Sequence, residues 1–260
     1  MDSIYRPKKA YQLIRIGKNN DGGYLVEHNS VLNTSVLISM GISADWSFEK
    51  NFYRLNKIPI STFDASLNNS FWNSRIKKSF LKFLKLSFFS FFKDFYSYID
   101  YKFFFKKDIK HHAINIGNHT NQLSYFEIIK EIKEDKNIFL KIDIEGGEYE
   151  ILEDILKYQE KLEGLVIEFH NIQKNNLSIV NFIKKINLEI VHIHPNNYSG
   201  VDENLDPIDI EMSFAKKPKS ISDISTLPHK LDQKNYKRKE DISIKFMTID
   251  PLYIPQICER

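Results

Sequence analysis

Residues Ile138 to Leu152 read IFLKIDIEGGEYEIL. The first half is the apolar run of a strand buried on both faces. The second half places apolar residues at helical spacing. The glycine pair Gly146-Gly147 separates the two. A strand that turns directly into a helix is the repeating unit of a parallel α/β sheet. Asp143 and Glu145 sit in the turn, where the hydrophobic strand runs out. Ligands of open parallel sheets bind outside the carboxyl ends of the strands, so the two carboxylates point to a site.

The rest of the chain repeats the pattern. Strands are expected at SVLISMG (Ser35 to Gly41), IPISTFDAS (ending at Asp64), HHAINIG, LEGLVIEFH, LEIVHIHP and PIDIEMSFAKK. Helices are expected at ADWSFEKNFYRLN, around Tyr125 to Glu134, and at LSIVNFIKKI. In the first helix Trp46, Phe52, Tyr53 and Leu55 share a face, with Ser43 or Asp45 as its cap. Too few residues separate Pro195 from Pro207 for a crossover helix, which makes the last strand antiparallel. Ahead of this domain, LIRIG and YLVEH flank Asp21-Gly22-Gly23 as a hairpin. The expected organisation is an N-terminal hairpin extension over 1–34 and one α/β domain over 35–260. That domain carries a helical insertion at about 70–110.

The insertion has its own composition. Phe80, Leu84, Phe88, Phe91, Phe92 and Phe95 recur at helical spacing, with Lys77, Lys78, Lys82, Lys85 and Lys93 between them. The expectation is a helical lid whose Phe stripe packs on the domain. A peripheral membrane contact through 75–110 is the alternative. After a polar tail, DISIKFMTI returns to a strand-like pattern.

Bulk properties exclude several classes. The 260 residues carry a formal charge of +3 and a hydrophobic fraction of 42%. That suffices for a core and is too weakly basic to signal nucleic acid. Cys258 is the only cysteine, so no disulfide framework exists within the chain. This fits a cytoplasmic location, at the inner face of the membrane if the basic aromatic segment docks there. No stretch has the roughly 20 apolar residues of a membrane span.

The strand ends collect the chemistry. Gly41, Ile42, Ser43, Ala44 and Asp45 follow the first strand, and Asp64, Ala65 and Ser66 the second. Asp143 and Glu145 follow the fourth, Glu168 and His170 the fifth, and His194 and Asn196 the sixth. An acidic residue ending the second strand suits the two hydroxyls of a ribose, because a carboxylate accepts two hydrogen bonds. Carboxylates at a solvated helix start meet the helix dipole favourably. That would account for Glu148, but not for Asp143 inside the strand pattern. No ligand spacing is diagnostic of a metal, and none is expected. Asp143, Glu145 and His170 holding a divalent ion is the alternative.

In order along the chain, DGGY (Asp21 to Tyr24), GISADWSFE, FDAS, LKIDIEGGEYEIL and IEMSF resemble the FkbM-type S-adenosylmethionine-dependent methyltransferases. The likeness runs from about Ile14 to Lys217, and LKIDIEGGEYEIL is its most specific piece. It implies a class I methyltransferase fold, Rossmann-like, with a seven-stranded, mostly parallel sheet whose last strand is antiparallel. It implies S-adenosyl-L-methionine as cofactor and O-methylation of a sugar hydroxyl in a surface polysaccharide, capsule or lipopolysaccharide, or in its precursor. Carried over, Gly41 and Ile42 approach the methionine end of the cofactor. Ser43 and Asp45 bind its amino or carboxylate group, and Ser47, Phe48 and Glu49 shape the pocket. Asp64 takes the ribose hydroxyls, with Ala65 and Ser66 near the adenine. Asp143 lies by the sulfonium, and Asp21 and Tyr24 close the pocket. The glycine-rich first loop of the family is reduced here to Gly41 with Ser43.

Methyl transfer to a hydroxyl needs alignment, water exclusion and a proton acceptor. The candidates are Asp143, His170, Glu145 and His194, with Asp143 or His170 favoured. An anionic phosphate or phosphoramidate oxygen would need no base, and lysines would orient it. Three other classes compete. An oxidoreductase would need a G-x-G-x-x-G loop, which is absent. A nucleic-acid-binding protein would use the basic aromatic segment, and a membrane-associated partner would use its apolar face. The expected acceptor is a small molecule or glycan, not nucleic acid.

Overall fold

The computed structural model describes residues 1–84 and 88–247, with side chains described for 1–81 and 91–247. Seven strands form the central sheet: β1 (Val36–Met40), β2 (Ile60–Phe63), β3 (Ile109–His112), β4 (Ile138–Ile142), β5 (Leu162–Phe169), β6 (Glu189–Pro195) and β7 (Ile210–Ala215). Their order across the sheet is β6-β7-β5-β4-β1-β2-β3. Neighbours from β5 to β3 run parallel, while β7 is antiparallel to both β5 and β6. This is the mostly parallel sheet expected from the sequence, with the order reversing beside β1. After a short helix at His28–Leu32, the helices are α1 (Ser47–Leu55), α2 (Asn69–Leu84), α3 (Phe88–Phe104), α4 (Tyr125–Lys130), α5 (Glu148–Lys157) and α6 (Ile172–Lys185).

The period-2 alternation of the strands explains the two-sided core. Leu37 and Phe139 face Phe48 and Phe52 of α1, and the Phe52 and Phe139 rings meet edge-on at 5.1 Å. Their neighbours Ile38 and Leu140 face the other side, with Ile151 and Ile155 of α5 and Ile179 of α6. Each fully buried side chain of this kind stabilises the fold by about 1.5–3 kcal/mol. A capping box at Ser124 and Glu127 starts α4.

Several elements differ from expectation. The third strand ends at His112; Asn115–Ile116 leaves the sheet and pairs with Gln122–Leu123. Leu55 points outward, and Phe48 and Glu49 are buried instead. The hairpin Leu13–Ile16 and Tyr24–Glu27 is antiparallel as expected. The Phe stripe differs from expectation where its side chains are described. Phe80, Phe92 and Phe95 are exposed. The helix pair docks instead through Trp72, Tyr98, Tyr101, Phe104 and Phe105, which surround Trp46. The Trp46 indole also donates to Asp100 at 2.9 Å. The side chains of Lys82, Leu84, Lys85 and Phe88 lie outside the described residues. Residues 241–247 form no strand, and Cys258 lies outside the described residues. Among the described residues, no helix is long and apolar enough to cross a membrane.

Candidate active site

The carboxyl ends of β1, β2 and β4 open onto one cavity of about 590 Å³. Gly41, Ile42, Ser43, Ala44 and Asp45 form one wall, and Asp64 and Ser66 another. Asn115, Ile116 and Gln122 extend the second wall, and Asp143, Ile144, Glu145 and Gly147 face them. Asp21 and Gly22 reach in from the hairpin. Parallel strand ends bring these segments together although they are far apart in the chain.

Gly41 makes this convergence possible. Its φ is +74°, and a Cβ there would lie 1.6 Å from the Asp143 carbonyl oxygen. Only glycine tolerates both the left-handed backbone and the close approach. The neighbouring loop is held by Asp64. Its Oδ2 accepts the amides of Ile42 (3.0 Å) and Ser43 (2.6 Å). Its Oδ1 accepts the Ser66 amide (2.8 Å) and hydroxyl (2.6 Å). Partial burial pushes the Asp64 pKa up, but these donors outweigh it and hold the carboxyl below its ordinary value. Asp64 therefore ties the first two strand-end loops together, besides lining the cavity.

Asp143 is anchored from behind. It accepts the Tyr24 hydroxyl at 2.9 Å and lies 3.8 Å from the Lys141 ammonium. Lys141 also donates to the Gly41 carbonyl, and its Nζ stands 5.7 Å from the centre of the Tyr24 ring. Lys141 is buried in β4 and lines the cavity; sequence reasoning gave it no role. The signal was available, because a lysine interrupts an otherwise apolar central strand.

Tyr24, Ser47 and Ala65 lie outside the cavity wall. Tyr24 is fully buried and reaches the site only through Asp143. The Ser47 hydroxyl accepts the Lys18 amide at 3.1 Å, fastening the hairpin loop to α1. Lys18 in turn pairs with Asp45 at 2.8 Å across the rim. His170 is also absent from the wall. Its Nδ1 is 3.1 Å from Glu148 Oε1, and its Nε2 is 3.7 Å from both Glu145 and Glu168. Glu148 is not the solvated helix-start carboxylate expected: it is wholly buried and also accepts the amides of Gly146 and His170. His194 sits elsewhere, against Glu211 and Asp241.

The cavity is acidic. Asp21, Asp45, Glu49, Asp64, Asp143 and Glu145 line it against Lys18 and Lys141 alone. Burial, together with the Asp143 and Glu211 carboxylates, pushes the Asp21 pKa up. Burial raises the Glu49 pKa too, against the opposing pull of Lys141. Glu49 is 1% exposed. Its Oε1 accepts the Ser39 hydroxyl at 2.5 Å, while its buried Oε2 has no hydrogen-bond donor among the described residues. An acceptor left unpaired inside an acidic cavity suits a ligand with a cationic, hydrogen-bonding group.

The family model described as methyltransferase FkbM domain matches residues 95–214. Among solved structures, the chain is similar to an rRNA methylase from Streptococcus thermophilus. Identity is 10% over 73% of this chain and 93% of that chain, with a TM-score of 0.38. It is similar to a precorrin-6y C5,15-methyltransferase from Geobacter metallireducens GS-15, at 10% identity over 73% and 86% of the two chains and a TM-score of 0.38. A Methanococcus jannaschii fibrillarin pre-rRNA processing protein gives 12% identity over 84% and 86%, with a TM-score of 0.37. None of the curated proteins compared with the chain matches it.

Proposed function

We propose that this chain, whose residues 95–214 match the methyltransferase FkbM domain model, uses S-adenosylmethionine as cofactor and transfers its methyl group to a hydroxyl oxygen. The acceptor we propose is a sugar of a surface polysaccharide such as a capsule or lipopolysaccharide, or its precursor. The observation that carries this reading is the acidic cavity at the ends of β1, β2 and β4, with Glu49 Oε2 unpaired inside it.

The residues present fit the cofactor. Its ammonium and sulfonium are cationic, which six lining carboxylates favour over two lysines. Glu49 Oε2 supplies an acceptor for the ammonium, and the Ser66 hydroxyl, whose hydrogen goes to Asp64, keeps an acceptor for a ribose hydroxyl. When bound, S-adenosylmethionine supplies a methyl carbon on a positively charged sulfur. Asp143, fixed by Tyr24 and Lys141, accepts a hydrogen bond from the acceptor hydroxyl and orients its oxygen. Glu145 lines the same cavity and makes no hydrogen bond among the described residues, so its carboxylate is free to take the proton. Transfer would join that carbon to the acceptor oxygen and leave the electron pair of the broken bond on sulfur.

The acidic lining favours a neutral hydroxyl over an anionic phosphate or phosphoramidate oxygen. The outward rings of Phe92, Phe95, Tyr96 and Phe103, beside Lys93, Lys102 and Lys106, suit a lipid-linked acceptor held at an anionic membrane surface. Flotation with anionic vesicles tests that point, and a chain that stays with the protein fraction removes it. The transfer itself is tested by incubating the protein with methyl-labelled cofactor and candidate glycan precursors, then locating the label by mass spectrometry. A label on a hydroxyl oxygen supports the reading. Label on nitrogen, carbon or nucleic acid overturns it.

A further inference from the structure

Two buried polar side chains next to the cavity have no part in this account. Glu168 closes β5 with its side chain 4% exposed. Among the described residues its one hydrogen bond is from Asn196 Nδ2 to Oε1, at 2.6 Å. Its Oε2 has none. His170 follows two residues later with its side chain 10% exposed. The Nδ1–H of the ring donates to Glu148 Oε1, which is itself fixed by the His170 amide at 2.9 Å. That bond holds a proton on Nδ1 and leaves Nε2 as the nitrogen that can take an ion. Among the described residues Nε2 has no hydrogen-bond partner, and the Glu168 and Glu145 carboxylates each stand 3.7 Å from it.

Asp143 completes the group. One ligand atom from each of Asp143, Glu168 and His170 lies within 4.8 Å of the other two. Two carboxylates and one ring nitrogen converge on a single point. Lys141, 3.8 Å from Asp143, is already engaged with Gly41. A divalent ion satisfies all three groups at once. The carboxylate–histidine bond behind His170 is the outer support that metal-binding imidazoles almost always carry.

We infer that Asp143, Glu168 and His170 form a divalent-cation site beside the cofactor cavity. Two hard oxygen ligands and one imidazole, without sulfur, suit Mn2+ or Mg2+. Three protein ligands leave positions open, and Asp143 belongs to both the cluster and the cavity wall, so two neighbouring oxygens of a diol can complete the shell. The diol clause rests on the O-methyl-transfer reading; the ion site does not.

The test is a Mn2+ titration of the EDTA-treated full chain, followed by electron paramagnetic resonance. About one ion is expected to bind, with nitrogen hyperfine coupling from the imidazole. Glu168→Gln and His170→Gln are each expected to weaken binding at least tenfold, and the latter to remove the nitrogen coupling. No binding at millimolar Mn2+, binding without nitrogen coupling, or unchanged affinity in both variants would overturn the site. The nitrogen coupling is read on the native protein, so the test stands even if a variant misfolds. Calorimetry with S-adenosylhomocysteine on the same sample separates the two readings. Cofactor binding without Mn2+ overturns only the ion site. Mn2+ binding without cofactor overturns the methyltransfer reading and leaves the ion site standing.

Discussion

Glu148 Oε1 receives both the amide and the ring Nδ1 of His170, at 2.9 and 3.1 Å. One buried carboxylate at the start of α5 thus sets the backbone and the side chain of the residue that follows β5. Its other oxygen takes the Gly146 amide at 2.9 Å. Breaking a buried pair of this kind leaves its partners uncompensated. Glu148→Ala is expected to lower stability by about 3–5 kcal/mol, measured by urea denaturation. A loss below about 1 kcal/mol would show that water replaces the carboxylate without cost.

Gly41→Ala places a methyl group against the Asp143 carbonyl and forces a left-handed backbone on alanine. The expected outcome is a loss of more than about 2 kcal/mol of stability together with cofactor affinity. Calorimetry with S-adenosylhomocysteine and a thermal melt check both. Native affinity in a folded variant would mean that the loops do not converge as described.

Asp143→Asn keeps the shape of the site and removes the charge that, in the proposed reaction, orients the acceptor. A fall of about 10²–10⁴-fold in kcat is expected, with cofactor binding little changed. Tyr24→Phe removes one hydrogen bond to that carboxylate and is expected to cost about tenfold. The order of the two effects is the check. A larger loss in Tyr24→Phe would place the chemistry elsewhere.

His194 gives a pH dependence. Its Nδ1 is 3.5 Å from Glu211 Oε2 and its Nε2 is 3.8 Å from Asp241 Oδ1. Burial pushes its pKa down, but Asp241, Glu211 and the nearby Asp232 outweigh this and hold it up at about 10. The folded state therefore binds the proton more tightly than the unfolded chain, whose histidine titrates near 6.5. The stabilisation is complete below about pH 6.5 and is lost as pH rises through about 10. The melting temperature is expected to fall by about 3 °C or more between pH 7 and 10, and His194→Gln to flatten that slope. An equal slope in the variant would assign the dependence to other groups.

Much of the fold could be read directly. Period-2 runs such as Val36–Met40 and Ile138–Ile142 need two apolar neighbours, and helices alternating with them supply these. The short Pro195–Pro207 link leaves only an antiparallel return. Asp64, Asp143 and Gly41 could be singled out because strand ends face one edge of such a sheet. The Phe stripe was misread because helical spacing says which residues share a face, and not what that face meets. Trp46 provides the surface, and it favours Trp72 and Tyr101 over Phe92.

By itself, then, the sequence determined the order of strands and helices and which residues stand at the strand ends, because both follow from local periodicity and chain length. Only the tertiary structure decided who pairs with whom. Lys141 on Gly41, Tyr24 on Asp143, Glu148 on His170 and the unpaired Glu49 Oε2 arise from side chains distant in sequence meeting in a low-dielectric interior. There, the partner each polar group finds sets its charge and its role.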